Sequence, residues 1–232
     1  MNRPRPPFLG WPGWRLLGEA VLLGTIQTLW WLTIYGGADW LTGLRTDRVH
    51  VHLDLELKIP SISAFILIYR SIDAMFLLAP FILRSRRELL ALTMALAMVT
   101  AAAGIGFVLL PAELAYAPQD HGAWEPFYRW NERIVLTFNL VPSLHVALSV
   151  VTLSAYGLGR GKLGRGLLAG WAAAIALSTL LTHQHHLLDV VTGLMLGALG
   201  HSLVYRRYLL RGQSQAAQIS PASPSSDPAP PA

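Results

Sequence analysis

The chain has 232 residues, of which 53% are hydrophobic and 13% are charged, with a mean hydropathy of +0.44 and a net charge of +5. Soluble proteins carry about a quarter charged residues, so this composition excludes an ordinary soluble enzyme and predicts a membrane protein that does not bind nucleic acid. The absence of cysteine excludes disulfides, thiolate nucleophiles and thiolate metal sites.

Six apolar runs of about the length that crosses a bilayer follow one another along the chain. They consist mostly of Leu, Ala, Val and Ile without the strict alternation of a barrel strand, so each is predicted to be a helix. The predicted spans cover residues 16–38, 59–83, 89–110, 136–158, 167–182 and 187–209. The predicted fold class is therefore all-α, a polytopic membrane bundle of six transmembrane helices.

This pattern divides the chain into three predicted regions. Residues 1–15 form a cytoplasmic N-terminal segment, residues 16–211 form one membrane domain, and residues 212–232 form a disordered cytoplasmic tail that is rich in Ser, Pro and Ala. A cleaved signal peptide is the alternative for the first apolar run, but the apolar part of a signal peptide is usually only about 7–15 residues long.

The distribution of Lys and Arg predicts the orientation in a cell inner membrane. Twelve of these residues fall on the side of the six-span arrangement that contains both termini, and five fall on the other side. Because the cytoplasmic side carries the excess of Lys and Arg, both termini are predicted to be cytoplasmic. The loop at residues 111–135 and the turn at residues 183–186 then face outward together.

Two polar motifs fall on that outward side, about forty residues apart in the sequence. The first is Pro-Ser-Leu-His at residues 142–145, and the second is His-Gln-His-His-Leu-Leu-Asp at residues 183–189. Positions i and i+4 share one face of a helix, so Asp189 is placed to accept a hydrogen bond from His185. That bond orients the imidazole ring and makes its other nitrogen a better nucleophile.

The first motif supplies the complementary groups. His145 can give a proton to a departing alkoxide, and the hydroxyl of Ser143 can bind phosphate oxygens together with helix N-terminal amides. The predicted catalytic residues are therefore His185, Asp189 and His145.

These motifs resemble those of a known family. Residues 142–145 look like the second motif of the type 2 phosphatidic acid phosphatase superfamily, and residues 185–189 fit the His-x-x-x-Asp of its third motif. Ser178 stands where the third motif begins with Ser-Arg, with Thr179 at the Arg position. The sequence Pro-Ser-Leu-His-Val-Ala at residues 142–147 and the preceding Asn139 are most similar to the motif of the branch that contains inositol phosphorylceramide synthases.

The resemblance covers the six-span plan and, most specifically, residues 139–193. It implies an enzyme without cofactor or metal, whose substrate is a lipid phosphate in the bilayer. In that family's chemistry His185 would attack phosphorus, Asp189 would support it, and His145 would protonate the leaving group. The predicted activity is hydrolysis of a phosphomonoester or diphosphate lipid. The alternative is transfer of a phospho-headgroup, for example phosphoinositol, onto a lipid alcohol.

The match to the family is weaker for the phosphate-binding residues than for the catalytic residues. The family's first motif, a Lys followed by Arg-Pro, has no clean match at the end of the third span, so Arg129, Arg133 and Lys58 are predicted to bind the phosphate together with Ser143. The remaining intramembrane pair, Arg70 and Asp73, is predicted to be mutually neutralising.

Three other functions fit parts of the pattern. The histidine cluster at residues 183–186 could belong to a metalloenzyme that holds zinc or iron through histidine. Ser143 could be the nucleophile of an intramembrane serine hydrolase, although no Gly-x-Ser-x-Gly elbow surrounds it. A carrier that only binds lipid phosphates is the third.

Overall fold

The computed structural model describes residues 7–211, which form a helical bundle. The all-α prediction is confirmed for this part of the chain, whereas residues 1–6 and the predicted tail at 212–232 lie outside the described residues. The seven α-helices of the described part are α1 (Trp14–Gly43), α2 (Ile66–Ile82), α3 (Arg86–Leu109), α4 (Glu125–Glu132), α5 (Leu144–Gly157), α6 (Lys162–Leu181) and α7 (Leu187–Leu199). Helix α7 continues through a π-helical turn, Gly200–Tyr205, to Arg211.

Five helical segments are long and apolar enough to cross a membrane. They are α1, α3 and α6, together with α2 and its preceding turn (Ser63–Ile82) and α7 with its extension (Leu187–Arg211). The sequence therefore predicted the membrane class and the position of these five segments.

The helix predicted at residues 136–158 is shorter than expected. Helix α5 has 14 residues, which rise about 21 Å, against a hydrocarbon core about 30 Å thick. Residues 136–143 are irregular, because Pro142 has no amide hydrogen to offer a helix and Ser143 caps α5 by accepting a hydrogen bond from the amide of Val146. Passage of α5 through the membrane, and with it the six-span count, stays a prediction.

Helix α5 is the central element of the bundle. It packs against α2, α3, α6 and α7, and most of its side chains are buried. Glycines allow α7 to approach it closely: a Cβ at Gly193 would lie 2.5 Å from the carbonyl oxygen of Ser143, and a Cβ at Gly197 would lie 2.6 Å from that of Ala147. This close packing fixes the start of α7 beside the start of α5.

One end of the bundle collects the long connections. The amide of Val49 donates to the carbonyl of Pro111 (3.0 Å), and the amide of Ile62 donates to that of Leu181 (2.8 Å). The segment after α3 also reaches the turn before α7, so the loop at 111–135 and the turn at 183–186 lie together as predicted. Which side of the membrane this end faces stays a prediction.

Candidate active site

The two polar motifs meet where α5 and α7 begin. The amide of Ser143 donates to the carbonyl of Asp189 over 2.9 Å, which ties the N-cap of α5 to the first turn of α7. His145, in the first turn of α5, and His185, just before α7, both line one chamber of about 460 Å³. The chain therefore brings together the two imidazoles that the sequence analysis paired.

The local geometry of His185 fixes its tautomer. Its Nδ1 lies 3.1 Å from Oδ2 of Asp189, and the carboxylate is fully buried. The same oxygen accepts a hydrogen bond from the amide of His186 (2.9 Å), so the N-terminus of α7 holds the carboxylate in place. Because a carboxylate only accepts, Nδ1 of the neutral ring carries the hydrogen and Nε2 keeps its lone pair. His185 thus has one nitrogen committed to Asp189 and one available for chemistry.

His145 is held by the backbone of α2. Its Nε2 lies 2.7 Å from the carbonyl oxygen of Tyr69, and the imidazole stacks on the ring of Tyr69 with 3.9 Å between centroids. A carbonyl oxygen accepts only, so Nε2 carries the hydrogen. Its Nδ1 is then the nitrogen that can exchange a proton with a ligand in the chamber.

Arg70 is a chamber residue that the sequence analysis did not assign to the site. Its guanidinium pairs with Asp73 over 2.6 Å, as predicted, and lies 4.2 Å from the ring centre of Trp130. The side-chain amide oxygen Oδ1 of Asn131 lies 3.5 Å from another of its nitrogens. Helix α4 therefore helps to hold Arg70 in position.

This arrangement places a cation beside the two histidines. The Arg70 side chain is only 14% exposed and lines the same chamber as His145 and His185. Its Nε is buried and has no hydrogen-bond partner within residues 7–211. The sequence signal was an Arg three residues before an Asp inside an apolar run, which is typical of a neutralised pair and does not reveal the chamber.

The four residues predicted to bind phosphate do not line the chamber. Arg129 pairs with Glu125 over 3.0 Å and its side chain is 71% exposed, while Arg133 and Lys58 are also exposed. Ser143 is fully buried, and its hydroxyl serves as the cap of α5. Phosphate binding by these four residues stays a prediction.

The reason for the exposed arginines is the orientation of α4. Tyr128 and Asn131 are spaced three apart and occupy the buried face of this short helix. Arg129 and Arg133, four apart, occupy the exposed face. The buried face includes the polar Asn131, whereas Phe127 and Trp130 are 42% and 45% exposed, so hydropathy does not show which side of this helix packs inward.

A second buried carboxylate, Glu56, anchors the start of α7. It accepts hydrogen bonds from the amides of Leu53 and Leu187, each over 2.6 Å. Nδ1 of His186 lies 3.4 Å from the same carboxylate, and Nε2 of His186 accepts from the amide of Ala115 over 3.1 Å. Burial lowers the pKa of His186. Because Nε2 accepts from the amide of Ala115, the hydrogen of the neutral ring lies on Nδ1. Nε2 of His186 is therefore engaged by the backbone, and Nδ1 lies beside Glu56.

The neighbouring His183 is also committed to the fold. Its Nε2 lies 2.9 Å from the carbonyl oxygen of Ile59, and its ring stacks on Tyr116 with 4.0 Å between centroids. Burial, with the charges of Glu56 and Asp189 nearby, raises the pKa of Tyr116 to about 12. These contacts favour His185 over its two histidine neighbours as the reactive residue.

Glu56 had no sequence signal, yet its loss is expected to have a large effect on stability. We expect Glu56→Ala to lower the free energy of unfolding by about 2–6 kcal/mol, because the amides of Leu53 and Leu187 each lose their acceptor at a cost of about 1–3 kcal/mol. The measurement is a thermal or denaturant titration of the purified protein in detergent. Glu113→Ala is the control, since Glu113 pairs with His50 at a half-exposed position, and we expect a change below about 1 kcal/mol. Equal losses in the two variants would contradict the anchoring role.

The fold and the site define a helical membrane protein whose central chamber is lined by a His–Asp pair, a second histidine and an arginine. No protein-family model, no curated protein and no solved structure matches the chain. The resemblance of residues 139–193 to the type 2 phosphatidic acid phosphatase superfamily therefore depends on the motif residues alone. Within residues 7–211, no group of three or more His, Asp or Glu side chains is arranged to hold a metal ion.

Proposed function

We propose that the protein is an integral membrane enzyme that hydrolyses a phosphomonoester or diphosphate lipid through a phospho-histidine on His185. The observation that carries this proposal is the single chamber lined by His185, His145 and Arg70, with Asp189 bonded behind His185. We further propose that α5 completes a six-span bundle in a cell inner membrane. Both termini are then cytoplasmic and the chamber's histidine end faces outward.

In the first half of the reaction, Nε2 of His185 attacks phosphorus and the bond between phosphorus and the lipid oxygen breaks. His145, protonated on Nδ1, gives that proton to the departing lipid alkoxide, and the lipid alcohol leaves. The carbonyl of Tyr69 accepts from Nε2 of His145, which leaves Nδ1 as the nitrogen that carries the transferred proton. Arg70 binds the phosphate oxygens, since its guanidinium is the cation in the chamber wall.

In the second half, a water molecule attacks the phosphorus of the phospho-histidine. Nδ1 of His145 takes a proton from this water, the bond between phosphorus and nitrogen breaks, and inorganic phosphate leaves. His185 returns to its neutral form with Nδ1 still bonded to Asp189. On a phosphomonoester the net reaction consumes one water and yields a lipid alcohol and phosphate, without a metal or cofactor. On a diphosphate lipid the same steps at the terminal phosphorus release the lipid monophosphate in place of the alcohol.

Transfer of a phospho-headgroup is the second candidate, and Asn139 is the residue that favours it. Asn139 belongs to the motif that resembles the synthase branch, and it lines the chamber. Its side-chain amide donates to the carbonyl of Tyr35 over 2.7 Å. Both candidates share attack by His185 and differ in the group that accepts the phosphoryl or phospho-headgroup from it.

The proposal predicts phosphate release by the purified protein from a panel of lipid monophosphates and diphosphates, with full activity in EDTA. Transfer of phosphoinositol from a phosphoinositol lipid to an added lipid alcohol, which releases the lipid alcohol of the donor and no inorganic phosphate, would favour the transferase. Activity that EDTA abolishes and zinc restores would favour a metalloenzyme. Release that is absent under every condition, or equal in wild type and His185→Ala, would contradict both phospho-histidine versions.

A further inference from the structure

The chamber extends far beyond the histidines. One end is lined by Arg70, His145 and His185, and the other end reaches Ala20 of α1 and Pro80 of α2. Along α1 its wall runs from Tyr35 to Ala20, fifteen residues, which corresponds to about 22 Å at 1.5 Å per residue. One leaflet of a bilayer contributes about 15 Å of hydrocarbon. The chamber is therefore long enough to hold a whole lipid chain.

The wall changes character along this length. Arg70 and Asp73 stand near the histidine end, where the charged headgroup of the proposed substrate would lie. Beyond them the wall is mainly apolar, formed largely by Leu23, Trp31, Ile72, Phe76, Leu92 and Leu96. Thr28 and Thr93 donate their hydroxyl hydrogens to backbone carbonyls of their own helices, which leaves Gln27 as the remaining polar side chain there. The chamber thus joins a polar end to this apolar part, which is called the slot below. Such an arrangement matches an amphiphile with one chain.

The position of α1 gives this slot a side that faces the bilayer. Helix α1 packs mainly along α3 and makes few contacts with α2. The chamber lies between α1 and α2, and the sparsely packed boundary between these two helices is called the seam. A lipid chain that enters through this seam exchanges one apolar surrounding for another, because lipid tails are about as apolar as leucine side chains. Entry therefore gains little from hydrophobicity, and the shape and length of the slot decide which chains fit.

The far end of the slot is bounded by the packed inner part of the bundle. Ala20, Pro80 and Leu89 line it there. Close by, the amide of Gly10 donates to the carbonyl of Phe81 over 3.0 Å, which attaches the N-terminal segment to the end of α2. The lining of the chamber ends at these residues.

We propose that this chamber holds the hydrocarbon chain of the substrate and that its far end limits the chain length, so the substrates are lipid phosphates with a single long chain. The identity of the headgroup rests on the proposed function, whereas the chain site rests on the chamber. Gly24 is the specificity-determining position, because it lines the apolar part and a Cβ there would meet no atom within 4 Å. It lies four residues, about 6 Å, above Ala20. A larger side chain at Gly24 shortens the slot without a clash in the fold.

The test compares Gly24→Phe with Gly18→Phe in the full-length protein. Gly18 lies on the same helix and also has no atom within 4 Å of an added Cβ, but it does not line the chamber. The probes are n-octyl phosphonate and n-octadecyl phosphonate, whose carbon–phosphorus bond is not hydrolysed. The affinity of each probe for the purified protein in detergent is measured from the ligand-induced rise in Tm.

Wild type and Gly18→Phe should bind both probes. Gly24→Phe should bind the octyl probe within about twofold of wild type and lose at least about tenfold in affinity for the octadecyl probe, since the longer chain now overfills the slot. Equal effects of the two substitutions on the ratio of affinities, equal loss of both probes in Gly24→Phe, or failure of wild type to bind the octadecyl probe would overturn the inference.

This readout separates the chain site from the proposed reaction, because it needs no turnover. Length discrimination without phosphate release would contradict the phosphatase and leave a lipid-binding chamber. Phosphate release without length discrimination would contradict the chain site alone.

Discussion

Replacing His185 with alanine or glutamine is expected to reduce phosphate release from a lipid phosphate by at least about a thousandfold, because both variants lack the nucleophile. His185→Gln keeps a side-chain amide that can donate to Asp189, so it guards against loss of the fold in the alanine variant. The measurement is the rate of phosphate release at saturating substrate, together with the Tm of each purified variant.

The matched control for this prediction is His50→Gln. His50 lies at the same end of the bundle, but its side chain is 67% exposed and it does not line the chamber. We expect its activity to stay within about twofold of wild type, as is usual for a surface substitution away from the site. A folded His185→Gln protein with wild-type turnover would exclude His185 as the nucleophile.

Arg70 is the residue whose substitution should have the second largest effect. We expect Arg70→Ala to lower kcat/KM by roughly 30-fold to 1,000-fold, corresponding to the loss of about 2–4 kcal/mol from a buried charge that binds an anion. Arg70→Lys should recover little of this loss, because an ammonium group does not reproduce the planar fork of the guanidinium. Steady-state kinetics over a range of substrate concentrations, with Tm measured in parallel, gives the comparison.

Arg129→Ala provides the contrast, since Arg129 was the residue suggested by the sequence. Its side chain is exposed, pairs with Glu125 and lies outside the chamber. A change in kcat/KM below about twofold is expected for it. If Arg129→Ala impaired catalysis more than a folded Arg70→Ala, the phosphate would have to lie nearer to α4 than the chamber allows.

Much of the fold could be predicted because bilayer physics leaves few options. Apolar runs longer than about 18 residues must be helical in lipid, and five such segments are present in residues 7–211. Helix α5 was harder, since the apolar run around it includes residues 136–141, which are not helical. Hydropathy does not mark where Pro142 and Ser143 end that irregular stretch and begin the helix.

The pairing within the site followed from local rules, whereas its surroundings did not. The hydrogen bond between His185 and Asp189 was predicted from positions i and i+4 on one helix face. The bond is present, but His185 precedes the N-cap of α7, and Asp189 reaches it from the first turn of that helix. The position of Arg70 depends on how α2 meets α4, and that of Glu56 on how the loop before α2 meets the start of α7. Both contacts join residues far apart in the chain. These segments carry no periodic pattern of polar residues, so their sequence does not predict the contacts of Arg70 and Glu56.

The central claim is that phosphate passes through His185. The most direct measurement is to mix the purified protein with a lipid phosphate, quench in alkali within one turnover, and locate phosphate on the peptides by mass spectrometry. The account predicts phosphate on His185, stable to alkali and labile to acid, and absent from His185→Gln. Phosphate release by an enzyme that carries no phosphate at any time point, or that carries it on Ser143, would contradict the account.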